Sequence, residues 1–219
     1  VKFGADTLAA LELPNLTEAE WAARDAGIQA ELEAQEAATR ATDEKLARVR
    51  VLEGGAPERA VRDSFAEWFD VGAESVLALR DFHTDERGIR ILAGGVGSGK
   101  TLAAIRWLAE HGGSRPVFLR VSEFETVSRY DREARAQWKG ATALVFDDLG
   151  AEYADAKGNF LADLDELIDV YAGRFARLII TTNLTPAQFK ERYLARILSR
   201  LRANARWKSL QGADRRVGL

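Results

Sequence analysis

Apolar residues arrive in short unbroken runs over the second half of the chain and as isolated positions over the first fifty residues. The two patterns predict different structures. The runs at 89–93, 116–121 (Pro116-Val117-Phe118-Leu119-Arg120-Val121), 142–147 and 177–182 (Arg177-Leu178-Ile179-Ile180-Thr181-Thr182) read as buried parallel strands. Helical segments are expected between them, near 100–111, 122–138 and 158–174. A fifth segment, Arg206-Trp207-Lys208-Ser209-Leu210, alternates polar and apolar as an edge strand does. Strand–helix alternation of this kind predicts an α/β fold: a parallel five-stranded sheet with helices on both faces. Ligands of such sheets sit at the carboxyl ends of the strands.

The first fifty residues lack such runs. Thr17-Glu18-Ala19-Glu20 has the form of a capping box. An Ala/Glu-rich helix is expected from Glu18 to about Arg50, with Gly27 as its breaking point. Its apolar positions, Trp21, Ile28, Leu32 and Leu46, are too sparse for a heptad seam, so it needs a partner surface to lean on. Gly54-Gly55-Ala56-Pro57 marks the expected boundary. This divides the chain into a helical N-terminal segment, 1–53, and a main domain, 54–219.

Between the first strand and the first helix of the main domain lies Gly94-Gly95-Val96-Gly97-Ser98-Gly99-Lys100-Thr101, which fits G-x-x-x-x-G-K-[ST]. Glycines let successive backbone N–H groups turn inward as an anion nest, and the following helix adds the positive end of its dipole. Lys100, expected on a solvated loop, supplies a charge for the β/γ-phosphates of ATP, and the Thr101 hydroxyl is placed to ligate Mg²⁺. Ala143-Leu144-Val145-Phe146-Asp147-Asp148 is the second signature, an apolar strand ending in paired carboxylates. Asp147 is the candidate Mg²⁺-side acid and Asp148 the candidate general base, with nearby Glu152 as the other carboxylate able to serve. A strand-end pair that merely caps the next turn is the plainer alternative. Asn183, closing Ile179-Ile180-Thr181-Thr182, either orients the water, touches the γ-phosphate, or is simply a turn residue. The Thr185-Pro186 pair after it is suited to begin a helix.

Taken together, the phosphate loop, Asp147-Asp148-Leu149-Gly150 and Thr181-Thr182-Asn183-Leu184 resemble AAA+ ATPases. More narrowly they resemble the DnaC/IstB group of helicase loaders and transposition helper ATPases. Gly55-Ala56-Pro57-Glu58-Arg59 with Ser64-Phe65-Ala66-Glu67-Trp68-Phe69 is similar to that group's lead-in, and Arg196-Ile197-Leu198-Ser199-Arg200-Leu201 to its arginine-finger segment. The resemblance covers about 55–219 and implies a domain without a full helical lid. It implies that Arg200 reaches a neighbouring subunit's ATP site, with Arg196 one turn earlier the second choice, and that Arg215 is a sensor within its own subunit. A surface arginine beside its acids is the plainer reading of either. It also implies self-association with the ATP site at the subunit interface, and DNA contact, single-stranded by preference, through Arg129, Tyr130 and Arg132. Acids alternate with the bases there, as on an ordinary solvated helix. The partner it implies for the N-terminal segment is a replicative DNA helicase. The alternative within the group is an IstB-like helper forming filaments on duplex DNA.

Composition narrows the rest. There is no cysteine, which excludes a disulfide framework, and there are two histidines, His83 and His111, far apart in sequence. No signal peptide or membrane-length apolar run is evident, so a cytoplasmic protein is expected. Net charge is −3, but residues 1–60 carry twelve acids against seven bases and residues 190–219 nine bases against two acids. Different partners at the two ends would account for that asymmetry, as would solvated helix faces.

Overall fold

The computed structural model describes residues 17–85, 88–127, 131–152, 159–173 and 176–211. They fall into two compact units, 1–43 and 44–219. Helix α1, Glu18–Glu53, opens on the expected capping box: the Thr17 amide donates to Glu20 Oε2 at 2.7 Å, and the Glu20 amide to Thr17 Oγ1 at 3.3 Å. It runs through Gly27 unbroken, because the surrounding Ala, Glu and Arg residues outweigh the roughly 1 kcal/mol that one glycine costs. Trp21, Ile28, Leu32 and Leu46 all stand exposed.

The division falls at 43/44, ten residues before the Gly54-Gly55 turn. The last turns of α1 bury Ala47 and Val51 in the core of the larger unit. The turn itself is tightly packed: Gly54 O accepts the Phe118 amide at 2.8 Å, and a Cβ at Gly54 would lie 2.2 Å from Pro116 O. These glycines are there for close approach to a strand.

After α2 (Glu58–Ser64) and α3 (Glu74–Leu77), the chain alternates as expected: β1 Ile89–Gly94, α4 Lys100–His111, β2 Pro116–Arg120, α5 Val121–Val127, α6 Arg132–Gly140, β3 Ala143–Leu149, α7 Asn159–Ala172, β4 Arg177–Thr182, α8 Pro186–Arg192, α9 Ala195–Asn204 and β5 Ala205–Leu210. All pairings are parallel, in the order β2-β3-β4-β1-β5. The alternating segment is indeed an edge strand, beside β1. The helix expected over 122–138 is two helices, because Asp131 caps a new start: its carboxylate accepts the Glu133 and Ala134 amides, both at 2.9 Å.

Residue parity sorts the strands between two cores. Ile91, Leu119, Leu144, Phe146, Leu178 and Ile180 face the core completed by α5 to α9. Leu92, Phe118, Ala143, Val145 and Ile179 face the one completed by α2, α4 and the end of α1. Parity also decides which polar residues meet. Asp147 continues the face of Ala143 and Val145, and Thr181 that of Ile179, so both emerge on the α4 side.

Candidate active site

β1 ends at Gly94 and the chain turns through 95–99 into α4, whose first residue is Lys100. Gly97 and Gly99 have φ of +77° and +82°, and a Cβ at Gly99 would also press to 3.2 Å on Ser75 Oγ. Gly99 is the N-cap of α4 and brings no side chain to the first amides of the helix, which therefore face outward for an anion.

Lys100 is not on a solvated loop. It is 5% exposed, and its ammonium donates to Gly94 O (2.7 Å), Gly95 O (2.8 Å), Ser98 Oγ (3.2 Å) and Asn183 Oδ1 (3.0 Å). The loop folds around its own cation because buried carbonyls need a donor and a buried ammonium needs acceptors. Lys100 and Asn183, eighty-three residues apart, are thus brought together.

Thr101 Oγ1 donates to Asp147 Oδ1 at 2.9 Å, and Thr181 Oγ1 donates to the same oxygen at 2.7 Å. Burial pushes the Asp147 carboxyl above the ordinary carboxylate range and the Asp148 charge adds to this, while the two hydroxyls and Arg120 oppose the shift. A hydroxyl and a carboxylate in contact form the oxygen pair that suits Mg²⁺, which usually takes one or two protein ligands and completes its shell with phosphates and water. Among the described residues no group of three or more His, Asp or Glu side chains could hold a metal alone. Thr101 and Asp147 fit that role, and the ion would neutralise phosphate charge.

Asp148 is exposed and has φ +62°, the left-handed region unusual for a residue with a side chain. β3 and β4 slip register here, pairing Phe146 with Ile180 and then Leu149 with Thr182. The kink turns Asp148 out of the ladder at the mouth of the site. Glu152, the alternative base, is occupied instead. It is buried, accepting the Gly150 amide (2.7 Å), Arg192 Nε (2.6 Å) and the Tyr193 hydroxyl (2.9 Å).

Arg200 lies on α9 against α7 of its own chain, donating to Asp169 Oδ1 at 2.7 Å and paired with Asp165. Its side chain is 20% exposed; that of Arg196, which meets Asp165 Oδ2 at 3.0 Å, is 72% exposed. Arg132 is exposed at the start of α6. Arg129, Tyr130 and Arg215 lie outside the described residues. Thr181 has no role that is legible in its own segment. Its signal, a polar residue with the parity of Asp147, becomes legible only once β3 and β4 are known to be neighbours.

Fold and site together have the form of a P-loop NTPase fold of the AAA+ type. No protein-family model and no curated protein sequence matches the chain. Among solved structures it is similar to the replication initiator DnaA bound to AMPPCP and single-stranded DNA (TM-score 0.52, 17% identity, 68% of this chain and 48% of that one). It is also similar to the DnaC helicase loader (0.50, 19%, 62% and 87%) and to domain III of the Thermotoga maritima replication initiation protein DnaA (0.51, 16%, 69% and 67%). At these identities the likeness is one of fold, and the chain spans about half the length of the DnaA bound to AMPPCP and DNA. No helix among the described residues is long and apolar enough to cross a membrane.

Proposed function

We propose that this chain is a Mg²⁺-dependent ATPase of DNA replication, of the helicase-loader type, which uses ATP binding and hydrolysis to assemble on DNA and to deliver or release a replicative helicase. One observation carries the ATPase reading: Lys100, Thr101, Asp147, Thr181 and Asn183, scattered over eighty residues, converge through hydrogen bonds at the carboxyl ends of β1, β3 and β4. The fold likeness to DnaC and DnaA supports the loader reading.

In this reading the loop amides and Lys100 hold the ATP phosphates. Asn183, already hydrogen-bonded to Lys100, lies where it can orient the attacking water, and Asp148 accepts that water's proton. The transition state spreads negative charge over the γ-phosphoryl group, which an arginine from a neighbouring copy answers with a bidentate fork. Arg200 does so by exchanging Asp165 and Asp169 for phosphate, and Arg196 is the more exposed alternative. Arg215 acts within its own subunit, Arg129, Tyr130 and Arg132 face DNA, and residues 1–53 bind the helicase.

The test combines ATP hydrolysis by the full chain with loading of a replicative helicase from the same source onto single-stranded DNA. Asp148→Asn should bind ATP, hydrolyse it slowly, and leave chain and helicase joined. Hydrolysis by Asp148→Asn at the parental rate would remove Asp148 as base. Coating of long duplexes without need of a helicase would replace loading with the transposition-helper role.

A further inference from the structure

We propose that Thr181 is a positioning residue whose single hydroxyl sets both acids at the end of β3; the inference rests on the nucleotide-site reading above. Thr181 is fully buried on β4. Its hydroxyl donates to Asp147 Oδ1 at 2.7 Å and accepts the Asp148 amide at 2.9 Å. A hydroxyl has one proton to give, so the donor bond goes to Asp147 and a lone pair serves Asp148. A β-branched side chain has a stiff first torsion, so the strand backbone dictates where that hydroxyl points.

The register slip explains why the residue is needed. Ile180 faces Phe146 and Thr182 faces Leu149, so the single residue Thr181 stands opposite both Asp147 and Asp148. A bulge of this kind leaves one residue outside the backbone ladder. Here the Asp148 amide is satisfied by a side chain instead, and that bond holds Asp148 at φ +62°. The other bond fixes the rotation of the Asp147 carboxylate, whose second anchor is Thr101. Removing the hydroxyl therefore releases the cation-side acid and the base together. Thr182 next to it serves the backbone only, donating to Leu149 O and accepting the Leu184 amide.

The experiment uses the full chain with Thr181→Val, which keeps the shape and loses the hydroxyl, and Thr181→Ser, which keeps the hydroxyl. Affinity for a fluorescent ATP analogue is measured in EDTA and across a Mg²⁺ titration, and exchange of the Asp148 amide is measured without nucleotide. The valine variant should keep its Mg²⁺-free affinity within about twofold, while its Mg²⁺ midpoint rises about tenfold and hydrolysis falls about a hundredfold, the range seen when residues supporting a metal ligand are removed. Its Asp148 amide should exchange at least about tenfold faster, as expected when a hydrogen bond of about 1.4 kcal/mol is lost. Serine should restore all of these to within about threefold. A valine variant with an unchanged Mg²⁺ midpoint and an unchanged Asp148 exchange rate overturns the proposal. So does a serine variant as impaired as valine, because packing of the methyl group would then be what matters. If valine fails to fold, the serine variant and Thr181→Ala decide on the same readouts. A wild-type chain that binds no ATP analogue removes the nucleotide reading instead, and the exchange measurement still judges the bonds of Thr181.

Discussion

The carboxyl edge of the sheet and the α7–α9 surface both gather charged residues from distant parts of the chain, but they hold them differently. At the edge, Lys100, Asp147 and Thr181 are each no more than 5% exposed and engage partners at 2.7–3.2 Å. On the other surface, Asp169 is 63% exposed and Arg196 72%, although Arg200 itself is mostly covered. A buried polar contact cannot be replaced by water and so fixes geometry. An exposed ion pair contributes about 0–1 kcal/mol and can be exchanged for another anion at little cost. The first arrangement suits a site that must be ready before substrate arrives. The second suits arginines that change partners on assembly.

The largest expected effect would break this contrast on the α7–α9 surface. Arg200→Ala should lower hydrolysis by about 10³-fold or more, the usual worth of an arginine finger, while the variant still folds and binds ATP. Mixing it with Lys100→Ala should restore part of the activity, since a mixed interface pairs an intact pocket with an intact finger. A co-assembled mixture that stays inactive shows that Arg200 does not act across the interface. If Arg196→Ala alone silences hydrolysis, the more exposed arginine is the finger.

On the buried side, Lys100→Ala should weaken ATP binding on the order of a hundredfold, as loss of charged hydrogen bonds does. It should also lower the melting temperature by several degrees, because Gly94 O, Gly95 O and Asn183 Oδ1 lose their shared donor. Calorimetry that finds the melting temperature unchanged would mean the lysine is not part of the folded framework.

Asp148→Gly sharpens the comparison further. Glycine accepts φ +62° without strain, so the variant should be as stable as the parent or more so by up to about 1 kcal/mol, while losing hydrolysis. A destabilised variant would show that the carboxylate itself supports the fold.

The smallest effect lies away from both regions. The His111 ring stacks on His83 with centroids 4.6 Å apart, and burial, then the His83 charge, depress its pKa against the pull of Glu110. A base held below its unfolded value contributes stability that is present above about pH 6.5 and is lost as pH falls through that value toward the folded one. With part of the ring in solvent, the loss from pH 7 to 5 should stay below about 1 kcal/mol, and His111→Phe should remove it from chemical-denaturation curves.

How much of this was legible in the sequence depended on whether the determining contact was local. Parallel strands are buried on both faces and therefore appear as apolar runs, and the phosphate loop is one continuous segment. Both were readable. The close approach of Gly54 to Pro116 O is not legible, because it leaves the same trace in sequence as any helix-ending boundary turn. Asp131 splits α5 from α6 through two side-chain bonds that the helical spacing around it conceals. The role of Thr181 depends on the neighbour order β3-β4 and on the register slip, neither of which is written in any one segment. The sequence allows that Arg200 sits beside its acids but does not say which, because Asp165 and Asp169 lie thirty-odd residues earlier, on α7.

Glu152 acts as a rivet between two segments distant in sequence. One of its oxygens holds the Gly150 amide, just past the acidic pair, and the other holds Arg192 and Tyr193, at the corner where α8 gives way to α9. Burial, reinforced by the Glu152 charge, raises the Tyr193 phenol far above its ordinary pKa, so it stays a donor throughout the working pH range. Hydrogen bonds to a buried carboxylate contribute about 1.5–3 kcal/mol each, so neither side slides past the fastening freely. The end of β3 and the corner leading into the helix that carries Arg196 and Arg200 are therefore fastened to one carboxylate. Any displacement of the loop after the acidic pair would have to break this fastening or carry the corner before α9 with it.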